Sequence, residues 1–165
     1  MRNTTLCYIK DNDRYLMLHR TRKEDDQSHD KWLGIGGKFE DGESPDECLL
    51  REVYEETGLT LTDHRLRGIV TFVSDIYETE YMFLYTSDSY EGKSISGEDG
   101  SFMPVIDGVP TPCSEGELKW IAIDEVPKLN LWEGDRIFLD MLRETDDFFT
   151  LKRCYEGDNL VSHTP

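Results

Sequence analysis

Residues Gly36–Leu59 read GGKFEDGESPDECLLREVYEETGL, and three of their carboxylates, Glu52, Glu55 and Glu56, share one face of a predicted helix. Ser44 is a good N-cap, Pro45 suits the first helical position, and Glu47, three residues after the serine, completes a capping box. At the other end, Gly58 is the residue type that most easily adopts the left-handed conformation closing a helix. Leu50, Val53, Tyr54 and Thr57 recur at helical spacing and are expected to pack, with Cys48, Glu52, Glu55 and Glu56 on the other side.

Glu52 and Glu56 are an i,i+4 like-charge pair, which costs an isolated helix roughly 0.2–0.5 kcal/mol. A divalent cation among the carboxylates reverses that sign. Hard oxygen ligands suit Mg2+ or Mn2+, which keep several waters and leave room for phosphate oxygens. A solvated acidic face beside Arg51 is the competing reading of a Glu-rich helix. The surrounding letters weigh against it, because they match GX5EX7REUXEEXGU with Gly37, Glu43, Arg51, Glu52, Val53, Glu55, Glu56, Gly58 and Leu59 on the fixed positions and none departing.

On those letters the chain resembles the Nudix hydrolases, whose members cleave nucleoside diphosphates linked to another moiety. The resemblance implies an α+β fold, the Nudix α/β/α sandwich around a mixed β-sheet. It implies that Glu52, Glu55 and Glu56 bind the divalent metal, joined by the Gly37 carbonyl, and that Glu52 or a neighbour orients the attacking water. Glu43 and Arg51 are expected to support the loop and helix electrostatically. In many MutT-type members an acid further along completes the metal site. Glu115 and Glu117 are the candidates, with Glu117 preferred and an ordinary exposed acid as the alternative.

Substrate choice has to come from outside that segment. DKWLGIGGKFEDGES, EGELKWIAIDEVP and LWEGDRIFL resemble the MutT-like branch that sanitises oxidised purine nucleoside triphosphates, including bacterial 8-oxo-dGTP diphosphatases, over Leu6 to about Phe149. In that branch the position of Asp135 carries an acid that reads the purine edge, and Trp132 stacks on the base or serves as a core aromatic. One position departs: Leu33 stands where some relatives that recognise oxidised guanine carry Asn, and leucine cannot hydrogen-bond a base. Arg20 can bind phosphate oxygens bidentately, and Lys38 is a second candidate for that contact; either could equally be a surface charge.

Composition agrees with a small globular enzyme of one domain over residues 1–165, with 37% hydrophobic and 11% aromatic residues. Eighteen Lys and Arg against 35 Asp and Glu leave a net charge of −17, which disfavours nucleic-acid polymers and anionic membranes as partners. A small nucleotide bridged by metal remains compatible, with the protein a monomer or homodimer. Cys7, Cys48, Cys113 and Cys154 show neither CxxC nor zinc spacing and are expected as reduced thiols. The start, MRNTTLCYIK, lacks an apolar signal region, and no stretch is long enough to span a membrane, so the cytoplasm is the expected compartment. The four histidines stand at no catalytic spacing, and neither a GxSxG elbow nor a P-loop is present.

Thr4 to Ile9 and Arg14 to Arg20 are predicted as a strand hairpin, and Leu66 to Val73, Tyr77 to Thr86 and Leu118 to Ile123 as further strands. Trp132 to Arg143 is predicted as a helix through Ile137, Phe138, Met141 and Leu142. Lys93 to Pro112, rich in Gly, Ser and Pro, is expected to be an inserted loop. Two functions fit these residues. One is a metal-dependent nucleoside triphosphate pyrophosphohydrolase, with ADP-ribose, dinucleotides or sugar nucleotides as other substrates. The other is a non-catalytic nucleotide-sensing Nudix module, which the complete set of carboxylates disfavours.

Overall fold

A computed structural model describes residues 1–165. In chain order the elements are β1 (Arg2–Asp11), β2 (Arg14–Arg20), β3 (Trp32–Leu33), β4 (Ile35–Lys38) and α1 (Pro45–Thr57). There follow β5 (Thr60–Leu61), β6 (Arg65–Ser74), β7 (Glu80–Ser87), β8 (Tyr90–Glu91), β9 (Ser94–Ser96), β10 (Ser101–Ile106) and β11 (Val109–Pro110). The chain closes with β12 (Gly116–Ala122), a 3-10 turn (Ile123–Lys128), α2 (Glu133–Glu144), β13 (Phe149–Glu156) and β14 (Asn159–Thr164).

The main sheet is mixed, in the order β11-β10-β12-β2-β1-β7-β6-β13-β14, with β1 parallel to β7 and β6 parallel to β13. Strand β1 is buried without a break from Thr4 to Ile9 because both its faces are covered. Cys7 and Ile9 join Leu49 and Val53 of α1 in one core, while Leu6 and Tyr8 join Phe138, Leu139 and Leu142 of α2 in another. The result is helix, sheet, helix, as the α/β/α expectation requires.

The start of α1 follows its local signals. Ser44 accepts from the Glu47 amide, Glu47 accepts from the Ser44 amide, and Gly58 sits at φ 74°. Its packed face differs from the expectation: Leu50 and Tyr54 are each 38% exposed, whereas Cys48, Leu49, Val53, Glu56 and Thr57 are buried. The axis is rotated so that Leu49 enters the core. This carries Glu56 inward and leaves Glu55 at the solvent edge.

Lys93 to Pro112 is not a loop. It folds into β9, β10 and β11, with Phe102 buried against Trp120 and paired opposite Leu118. Pro104 hides the strand pattern in the sequence, yet its missing N–H is tolerated beside the short strand β9. The meander packs on the end of α1, where a Cβ on Gly58 would lie 2.7 Å from the Val105 carbonyl oxygen. Strands β13 and β14, which the sequence does not predict, complete the other edge of the sheet.

The strand registers align four residues across the sheet. Arg2 stands opposite Glu80, Glu80 opposite Phe72, and Phe72 opposite Arg153, so they form a single rung across β1, β7, β6 and β13. Directly opposed residues point to the same side of a sheet. The rung lies at the end where α2 begins.

Candidate active site

One cavity of about 680 Å³ runs from the carboxylates of α1 to the first turn of α2. It brings together Arg20, Leu33, Gly37, Lys38, Glu52, Glu56, Trp132 and Asp135, residues spread over more than a hundred positions of sequence. Glu55 and Glu117 are not among its lining residues. Glu55 projects outward, 55% exposed, against Arg51. Glu117 is exposed on β12, whereas Glu115, just before that strand, lines the cavity and meets Arg20 at 3.3 Å and Lys23 at 3.6 Å. The start of the strand decides between Glu115 and Glu117, and the sequence could not place that start closely enough.

At the acidic end, β4 lies antiparallel to β1 and opposes Gly36 to Leu6 and Gly37 to Thr5. A Cβ on Gly37 would lie 2.5 Å from the Glu52 carboxyl carbon, so the bare backbone there makes room for that carboxylate. Glu56 is 6% exposed, and its Oε2 has no hydrogen-bond partner. Burial, reinforced by Glu52, pushes the Glu56 carboxyl well above the usual range; burial also raises Glu52, with Arg51 working against the rise. An unpartnered buried oxygen beside a second carboxylate is the setting a hard cation stabilises, so these residues fit a divalent metal. No three side chains converge into a complete ligand set by themselves. The Gly37 carbonyl, water and phosphate oxygens are the donors that would fill it, as suits Mg2+.

Arg51 organises this end from outside the cavity. Its guanidinium donates to Glu43 at 2.6 and 2.9 Å, to Glu52 at 2.8 Å, to Glu55 at 3.2 Å and to the Lys38 carbonyl at 3.0 Å. Those bonds hold the Glu43 carboxyl below the usual carboxylate range, at about 2. A carboxyl depressed on folding stabilises the fold above its ordinary pKa and loses that contribution as pH falls through the folded value. Glu43→Gln is therefore expected to flatten the acid limb of melting temperature against pH between about 4.5 and about 2. An unchanged acid limb would show that Glu43 adds nothing.

Arg20 is held between Asp26 at 2.8 Å and Glu115 at 3.3 Å, and so reaches the cavity as a fixed cation. At the far end Trp132 is 3% exposed, its indole N–H donates to Ser28 Oγ at 3.1 Å, and Phe72 and Tyr155 meet it edge-on. Asp135 is 1% exposed and paired with Arg153, a residue that the sequence reading does not single out. Burial raises its carboxyl, and Arg153 opposes that rise. Leu33, Tyr77 and Met82 add apolar wall, and the segment carrying Lys23 and Ser28 contributes further lining.

Carboxylates at one end, a fixed arginine between, and an aromatic slot with a buried acid at the other form the kind of site that suits hydrolysis of a phosphate anhydride. Residues 1–142 match the NUDIX domain, and the chain belongs to the Nudix family of hydrolases acting on pyrophosphate bonds. It is 29% identical over 146 residues to YvcI, an uncharacterised Nudix hydrolase of Bacillus subtilis, covering 86% of this chain and 79% of that one. It is 28% identical over 135 residues to an oxidised purine nucleoside triphosphate hydrolase of Danio rerio, covering 81% and 76%. The crystal structure of a MutT protein from Bacillus halodurans superposes with a TM-score of 0.79 at 27% identity, over 99% of this chain and 97% of that one.

Proposed function

We propose that this protein is a metal-dependent nucleoside triphosphate pyrophosphohydrolase that converts an oxidised purine nucleotide such as 8-oxo-dGTP to its monophosphate and pyrophosphate. The carrying observation is that one cavity, of about 680 Å³, joins Glu52 and Glu56 to Trp132 and Asp135 and so offers carboxylates for a metal and phosphates together with an aromatic slot for a base. The likeness to MutT-type and oxidised-purine hydrolases supports the same reading.

Mg2+ or Mn2+ bound by Glu52, Glu56 and the Gly37 carbonyl would supply charge neutralisation at the pyrophosphate and a lowered pKa for water. Glu115 is the further carboxylate facing the same space. Arg20, fixed by Asp26 and Glu115, offers its guanidinium to the phosphate chain, with Lys38 on the β4 side. Glu52, next to the Gly37 backbone and held by Arg51, is placed to orient the attacking water. Leu33 and Trp132 pack against the base, and Asp135 accepts from its edge.

A product-resolved hydrolysis panel of 8-oxo-dGTP, dGTP, ADP-ribose, a dinucleoside polyphosphate and a sugar nucleotide tests the reading. Release of pyrophosphate, with 8-oxo-dGTP turned over fastest, is the expected outcome. Nucleotide binding with Mg2+ but no product from any substrate would make the protein a sensor. Asp135→Ala is expected to lower discrimination between 8-oxo-dGTP and dGTP about tenfold while changing turnover of the poorer substrate only a few-fold. Equal losses on every nucleotide would assign Asp135 to structure alone.

A further inference from the structure

The floor of the base end is ionic. Two buried acids line it. Glu80 has both oxygens engaged, Oε1 by Arg2 at 2.8 Å and Oε2 by Thr4 at 2.9 Å. Asp135 accepts from Arg153 at Oδ1 and keeps Oδ2 without a partner. Asp135 is thus the acid with acceptor capacity left for a ligand.

Arg153 is held in one position. It is 3% exposed, its Nη2 lies 3.7 Å from Met82 Sδ, and its guanidinium carbon stands 5.7, 5.4 and 5.7 Å from the ring centres of Phe72, Phe138 and Tyr155. The helix leaves space for it: a Cβ on Gly134 would lie 2.5 Å from Arg153 Cδ. Packing on these sides therefore fixes the cation beside Asp135. A protonated carboxyl can donate or accept, whereas a carboxylate only accepts.

We propose that Arg153 is a specificity-determining positioning residue: by pairing with Asp135 it fixes that carboxyl and opposes its protonation, so the cavity favours a heterobase that brings an N–H to the free Asp135 oxygen over one that brings only an acceptor. The ligand class is a purine with a ring N–H or amino hydrogen on its inward edge. The inference rests on the nucleotide-hydrolase reading and adds a residue to it.

The test uses the intact protein with Mg2+ and compares kcat/KM for dATP, dGTP, 8-oxo-dGTP and the deoxynucleoside triphosphate of unsubstituted purine, whose base carries acceptors only. In Arg153→Met the ratio of best to worst substrate is expected to fall about tenfold, through KM more than kcat. In that variant the ratio should also recover only at higher pH than in the wild type, because the unpaired carboxyl loses the cation that favours its ionised form. The other groups facing Asp135 are Glu80 from β7, Tyr8 from β1, Tyr155 from β13 and Arg136 on its own helix, and all remain in the variant. An unchanged ratio with a flat pH profile overturns the proposal. If Arg153→Met does not fold, the double variant Asp135→Asn with Arg153→Met carries the test, since it removes both charges. Its ratio should equal that of Asp135→Asn alone, and a further fall would overturn the coupling. A wild type that ranks the four bases equally overturns this inference together with the purine reading. A wild type that ranks them, alongside variants that rank them identically, overturns this inference only.

Discussion

Glu56→Gln is expected to lower Mg2+-dependent turnover roughly a hundredfold or more, since even partners of metal ligands are worth about 10–100-fold. Glutamine keeps the volume but replaces an anionic oxygen with an amide. Removing the metal with a chelator should bring the wild type down to the variant's rate. The fold should survive, because Glu56 sits 6% exposed with Oε2 unpartnered, and burial and Glu52 already disfavour its charge. Without metal the variant should melt at or above the wild-type temperature. Saturating Mg2+ should then separate them. A ligand at a hundred times its dissociation constant stabilises by about 2.7 kcal/mol, or roughly 5–10 °C for a domain of this size. The wild type should show that gain and the variant should lose most of it. Turnover within a few-fold of wild type, together with an intact Mg2+-dependent gain, would remove Glu56 from the metal site.

The adjacent glycines of β4 should separate folding from chemistry. A Cβ on Gly36 would lie 1.9 Å from the Thr5 carbonyl oxygen and 2.6 Å from its carbonyl carbon, both backbone atoms of the central strand β1. Neither can step aside, so Gly36→Ala must push β4 off β1. The expected cost is about 1–3 kcal/mol or more, a fall of roughly 2–12 °C in Tm. The atoms nearest a Cβ on Gly37 are instead the end of the Glu52 side chain, at 2.5 to 2.7 Å. That carboxylate can swing away. Gly37→Ala should therefore keep Tm nearly unchanged while lowering turnover by up to about a hundredfold, the scale of loss that accompanies a misplacement of about 1 Å. Equal melting temperatures for the two variants would show that the close approach at Gly36 relaxes at no cost.

How much of the site was legible depends on which interactions are local. The N-cap at Ser44, the capping box with Glu47 and the left-handed Gly58 bind partners within a few residues, so the helix bearing Glu52 and Glu56 could be read directly. The same holds for the turn joining β1 and β2, where Asp11 pairs with Arg14. The rotation of α1 was not legible. Leu49 and Leu50 are equally apolar neighbours, and only the shape of the sheet beneath decides which is buried and, with it, that Glu56 rather than Glu55 turns inward. Strand β10 was concealed because its alternation is short and interrupted by Pro104, and its stability comes from pairing with β9 and β12.

Arg153 illustrates the same limit at the specificity end. Leu151, Arg153 and Tyr155 alternate inward along β13, a signal that is present in the sequence, but an isolated arginine in an alternating strand is ordinarily a solvated residue. Only the parallel pairing of β13 with β6, which sets Arg153 opposite Phe72, carries it beneath α2 and against Asp135. The sequence alone determined the family, the acidic helix and the kind of bond attacked, because short-range spacing on one helix encodes them. The tertiary structure decided that Glu115 rather than Glu117 lines the cavity, that Glu55 turns towards solvent, and that Asp135 pairs with a buried cation. Those outcomes depend on strand register and helix rotation, which are set by packing between segments far apart in the chain.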